Sequence, residues 1–148
     1  DPSYLGVLFE WMTDRIADPL TPNDWIAGDP DIVADHASDP FNNFTSPPNI
    51  RSTYDFIMMI DTIIGTQWAE KVPAAIPVYN IAGDQDPVGL FGEGVYAVSN
   101  WLADTGNQVK TKIYSGYRHE IHNYRDIRDE VEDGMIDFIN AIIAAKKN

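Results

Sequence analysis

A chain of 148 residues with no cysteine and a formal net charge of −13 has room for one domain with a real core. Having no thiol excludes disulfides, thiolate nucleophiles and Cys-ligated zinc. The acidic balance weighs against nucleic acid, whose phosphates need a basic surface, and against anionic lipid. No apolar run approaches the length of a membrane span, so stable membrane insertion is not expected. The chain opens Asp-Pro-Ser, with no basic and then apolar leader, which reads as a processed or excised piece of a cytoplasmic protein.

Residues 4–17 place Leu5, Leu8, Met12 and Ile16 at helical spacing, with Val7, Phe9 and Trp11 adding apolar bulk elsewhere. Such a helix is buried on two sides or lies as a lid over an apolar pocket. Residues 18–50 carry Pro19, Pro22, Pro30, Pro40, Pro47 and Pro48, so only short helices and extended loops are expected, one helix at 30–36. Asn43-Phe44-Thr45 matches a glycosylation acceptor by chance in a chain without a leader. His36 sits among acids and reads as a solvated side chain. Ser52 or Thr53 can cap a helix through about residue 64, with Phe56, Ile57, Ile60, Ile63 and Ile64 on one core-facing stripe. Met58 and Met59 beside it are core, or the lining of an acyl pocket.

After Lys71-Val72-Pro73 the texture changes. Residues 76–82 form a short buried strand with Pro77 at its start, where proline is allowed. Phe91, Val95, Val98 and Leu102 mark a helix over about 91–104, ended by Gly106. Val109, Thr111 and Ile113 alternate with Lys110 and Lys112 in a second strand, and outward lysines suit a sheet edge. The last helix, about 126–145, presents Ile127, Val131, Met135, Phe138, Ile139 and Ile142 inward. Its acids lie near the start and its lysines near the end, as the helix dipole favours. Strand, helix, strand, helix is a right-handed parallel unit of a doubly wound sheet, and functional residues in such sheets lie just beyond the carboxyl ends of strands.

Asp84 and Asp86 follow the first strand and His119 follows the second. A histidine base needs one ring nitrogen for the proton it takes and the other for a rigid carboxylate that fixes its tautomer. Asp86, stiffened by Pro87, suits that role, and loops leaving neighbouring strands about 5 Å apart can bring the two side chains together. Singly, the acids of Gly-Asp-Gln-Asp-Pro read as turn residues that bond their own backbone, and His119 as a surface histidine. The pair is the stronger signal.

Here a family resemblance enters. GDQDPVG, FGEGV and then V-K-x-K-x-Y-x-G-x-R-H-E-I-x-N resemble the C-terminal part of α/β-hydrolases, in the serine-aminopeptidase, monoglyceride-lipase and lysophospholipase-like group. The resemblance covers roughly residues 72–145, and residues 1–70 are similar, more loosely, to that group's helical cap. It implies an α/β fold with a mostly helical cap over 1–70 and the C-terminal strand-helix-strand-helix part of the core over 71–148. It implies Asp86 as triad acid and His119 as base, in a serine hydrolase of small ester or lipid-like substrates without cofactor or metal. Where the group usually has an acid after Asn123, this chain has Tyr124, which leaves the local partners of Arg118 and Asn123 open.

The Gly-x-Ser-x-Gly elbow that such a hydrolase needs does not occur. Ser99 is expected mid-helix, and Ser115 lacks the flanking glycines. The nucleophile and oxyanion donors are therefore expected in an N-terminal half absent from this sequence, and the chain alone is expected to be inactive. Strand 76–82 would then keep a bare edge, open to a second copy, to the absent half or to a rearranged cap segment. Three rivals differ from this reading. His119-Glu120-Ile121-His122 is one residue short of the H-E-x-x-H zinc motif and lacks a marked third ligand. Gly89, Gly92 and Gly94 do not have dinucleotide-binding spacing. A hydrolase fold that has lost its chemistry would act as a non-catalytic binding module.

Overall fold

The computed structural model describes residues 10–42 and 49–147. Residues 4–9 of the helix expected at 4–17 and all of the 43–45 acceptor lie outside the described residues. What is described of that helix is a 3-10 turn at Trp11–Thr13, closed by i to i+3 bonds such as Asp14 N–H to the Trp11 carbonyl at 3.1 Å. It does not run on to residue 17: Asp18 has φ of 50° and precedes Pro19, a sequence that disfavours helical backbone.

Helix α1, Pro30–Ser38, starts where Asp29 accepts from the Asp31 N–H at 2.9 Å and Pro30 presets the first turn. Helix α2, Ile50–Thr62, is capped by Asn49 rather than by Ser52 or Thr53, because the Asn49 carboxamide oxygen takes the Ser52 N–H at 2.9 Å. Its stripe is not core. No residue of α2 is buried, and Phe56, Ile57, Met58, Met59, Ile63 and Ile64 are all exposed. Helix α3, Thr66–Ala69, is a single turn.

Strands β1, Val78–Gly83, and β2, Val109–Tyr114, pair in parallel, Val78 opposite Val109 through Gly83 opposite Tyr114. Among the described residues they form the whole sheet, so β1 has one bare edge. Between them runs α4, Glu93–Asp104. It begins later than the spacing predicts because Leu90 and Phe91 adopt φ of 50° and 56°, left-handed values that interrupt a helix. It ends on Gly106, φ 97°: the Gly106 N–H bonds the Ala103 carbonyl and the Asn107 N–H the Leu102 carbonyl, both at 3.0 Å, which is the Schellman arrangement. Buried Ser99 pins α4 to both strands. Its hydroxyl donates to the Val95 carbonyl and accepts from Asn80 Nδ2 of β1 and Thr111 Oγ1 of β2, each at 2.8 Å.

Helix α5, Arg128–Ala145, follows with Asp129 and Glu130 in its first turn. Only Val131, with Ile127 just before the helix, is buried; Met135 and Ile139 of the expected inner face are exposed. An 18-residue helix is about 27 Å long, and a two-stranded sheet is too small to cover it. On the outer strand Lys112 pairs with Glu130 and lies over the Tyr114 ring, while Lys110 lies over Tyr79.

The core gathers at one end of the sheet. Ile26, Ala27, Val33, Tyr114, Ile121, Tyr124, Ile127 and Val131 form one buried cluster. The proline-punctuated stretch thus contributes Ile26 and Ala27, at 0% and 1% exposure, although its composition reads as loop. No helix of the described residues is long and apolar enough to cross a membrane.

Candidate functional site

The site is built where the turns leaving β1 and β2 meet. Gly83 makes the meeting possible: a Cβ there would lie 2.0 Å from the Tyr117 carbonyl oxygen and 2.5 Å from that of Arg118. The bare backbone lets the Gln85 N–H reach the Tyr117 carbonyl at 2.9 Å. Asp84 then ties the turns together, accepting from Ser115 Oγ and from the Gly116 N–H, both at 2.7 Å. Gly116 has φ of 89°, where glycine costs little. Asp84 and Ser115 are thus spent on each other.

Asp86 is 5% exposed. One carboxylate oxygen accepts from the Val88 N–H at 2.9 Å, and both lie 3.1 Å from Nδ1 of His119. The two residues singled out in the sequence are therefore brought together. Pro87 is fully buried behind the acid, and a Cβ on Gly89 would approach the Asp86 carboxylate to 3.4 Å. The hydrogen bond from His119 to Asp86 raises the imidazole pKa above its ordinary value, with partial burial pulling the other way. With Nδ1 donating to Asp86, proton exchange falls to Nε2, for which no hydrogen bond is present among the described residues. A buried carboxylate thus orients the imidazole and favours its charged form.

The surroundings answer what the sequence left open. Arg118 Nη1 donates to the carbonyls of Asp24 at 2.6 Å and Ala27 at 2.9 Å. The Tyr124 hydroxyl, where an acid was expected by resemblance, accepts from the Gly28 N–H at 2.5 Å and the Arg118 N–H at 3.3 Å. Asn123 Nδ2 donates to Glu120 Oε2 at 2.6 Å. Glu120 also pairs with His36, Nδ1 to Oε1 at 3.3 Å, so His36 is not a solvated side chain: its carboxylate partner draws it in to 15% side-chain exposure. The Trp25 ring lies 5.2 Å from the His119 ring, tilted by 50°. Nothing local in the sequence points to Trp25, and the motifs that contain Gly83 and Arg118 do not reveal their contacts, because those contacts span long separations.

Among the described residues no cluster of three or more His, Cys, Asp or Glu is placed to hold a metal ion. His119 is engaged by Asp86 and His122 is exposed. Nor does a described serine bond His119: the Ser99 and Ser115 hydroxyls are satisfied elsewhere.

No family model and no curated protein matches the chain. Two solved structures do. One is a highly thermostable carboxyl esterase from Bacillus coagulans in complex with glycerol, with 73% identity and a TM-score of 0.93 over 97% of this chain and 46% of that one. The other is a lipase in an open form, with 33% identity and a TM-score of 0.84 over 93% of this chain and 44% of that one. The chain spans less than half the length of either. Its parallel strands, the helices around them and this likeness make it the C-terminal part of an esterase/lipase-type α/β-hydrolase fold.

Proposed function

We propose that the chain supplies the acid, Asp86, and the base, His119, of a Ser-His-Asp triad in a carboxylic ester hydrolase of lysophospholipase or monoacylglycerol lipase type. The observation that carries this reading is the buried Asp86 carboxylate holding Nδ1 of His119 at 3.1 Å. In the reaction His119 Nε2 takes the proton of a serine hydroxyl as that oxygen attacks the ester carbonyl. It then returns the proton to the leaving alkoxide, while Asp86 stabilises the imidazolium. Serine and oxyanion donors come from polypeptide outside these 148 residues. That polypeptide adds a strand to the bare edge of β1 and covers the apolar groove between α2, β1 and α4, where Ile60, Ile63, Tyr79 and Trp101 lie. Residues 1–70 serve as a cap, and its apolar side chains suit an acyl chain.

The test is complementation. The chain is mixed with the portion of the Bacillus coagulans carboxyl esterase that lies outside the match, and hydrolysis of a p-nitrophenyl ester is followed. Activity is expected only from the mixture, with a loss of about 10⁴-fold for Asp86→Asn and about 10⁶-fold for His119→Ala. Turnover by the chain alone that depends on His119, or a mixture indifferent to His119→Ala, overturns the proposal. The base works when neutral, so the rate rises with pH through the elevated His119 pKa. Asp86→Asn moves that limb to lower pH by removing the largest cause of the elevation. The sign for stability is opposite. The charged pair adds stability fully below the unfolded histidine value of 6.5 and loses it as pH climbs through the folded value.

A further inference from the structure

His119 is fixed by Asp86 at one nitrogen only, and its side chain is 37% exposed. A hydrogen bond at Nδ1 sets the direction of that atom and leaves the ring free to rock about it. A second contact lies on the flank of the ring, from a part of the chain nearly a hundred residues away. Residues 24–28 run alongside the loop that carries His119 and are bonded to it repeatedly. The Glu120 N–H reaches the Ile26 carbonyl at 2.9 Å and the His119 N–H reaches the Trp25 carbonyl at 3.5 Å. Arg118 clasps the carbonyls of Asp24 and Ala27, and Tyr124 holds the Gly28 N–H. Ile26 and Ala27 root the segment in the core. This strap fixes Trp25, whose indole sits 5.2 Å from the imidazole.

We propose that Trp25 is a positioning residue for His119, holding the imidazole in the orientation that faces Asp86 and favouring its charged form through the indole ring. The inference rests on the reading of His119 as the base. An aromatic ring whose centroid lies within about 6 Å attracts a cation more strongly than a neutral ring. The contact therefore strengthens when His119 takes a proton, which is when catalysis requires it. The other charged groups around the imidazole are the Asp86 carboxylate, the Glu120 carboxylate engaged with His36, and the Arg118 guanidinium turned onto backbone carbonyls.

Titration of the imidazoles by NMR tests this in the 148-residue chain, which has three histidines. Trp25→Leu is expected to lower the His119 midpoint by about half a pH unit, and Trp25→Phe to restore most of it. The Glu120 amide, bonded to the Ile26 carbonyl, reports whether the loop stands, and its protection from hydrogen exchange is expected to stay. Fluorinated tryptophan incorporated throughout the chain weakens the ring's attraction for cations without altering the packing, so it covers the case in which Trp25→Leu does not fold. A graded fall of the His119 midpoint with fluorination is expected. A His119 midpoint that ignores both ring removal and fluorination overturns the proposal. So does a loss of Glu120 amide protection together with the fall of the His119 midpoint in Trp25→Leu, since Trp25 would then only prop the loop. The titration needs neither serine nor ester, so failure of complementation and failure of this inference are read separately.

Discussion

The two ends of this small sheet are made differently. At the end where the strands point, polar groups are matched: Asp84 with Ser115 and Gly116, Asp86 with His119, Arg118 with two carbonyls, Tyr124 with two amides. The buried cluster lies beneath them. Along α2 and along the far part of α5, by contrast, many side chains are as apolar but remain exposed. The difference teaches that the chain is self-sufficient where it brings Asp86 and His119 together and incomplete in packing where it does not. Exposed apolar surface on this scale marks a face built to be covered.

The contrast can be broken most severely at Gly83. A Cβ placed 2.0 Å from a backbone oxygen has no flexible side chain to displace, so Gly83→Ala must push the two turns apart. We expect a loss of more than about 3 kcal/mol in urea unfolding. A mild effect would mean that the turns do not need their close approach. Ser99→Ala comes next. It removes the oxygen shared by Asn80 and Thr111 and leaves two partly buried groups to find new partners. The expected cost is about 1–3 kcal/mol in the same measurement. The smallest effect belongs to the exposed face. Ile57→Ser combined with Met58→Ser in α2 should change the unfolding free energy of the isolated chain by less than about 0.5 kcal/mol while reducing its tendency to self-associate in sedimentation. A large destabilisation would show that α2 is packed after all and would erase the contrast.

How legible this was depends on the range of the interactions. The parallel strands, the helix between them and the glycine that ends it follow from local spacing and turn chemistry, and they stand within a residue or two of expectation. Asp86 and His119 were legible because each follows a strand in a sheet whose topology dictates that their ends are neighbours. Burial of α2 and α5 was misjudged because periodicity says which face is apolar, not whether anything lies against it. The stretch rich in Asp-Pro concealed Ile26 and Ala27, since prolines exclude long helices but do not exclude extended chain pressed into a core. Trp25 and the partners of Arg118 could not be found locally, because these contacts span roughly ninety positions.

Asp84 carries one more implication. Its two oxygens grip the opposite loop through a hydroxyl and an amide, so a fluctuation that frees the first turn must also free the second. Asp86 and His119 consequently belong to a single unit of local unfolding. Thermal agitation would lose or regain both together, and a half-assembled dyad would be a scarce species.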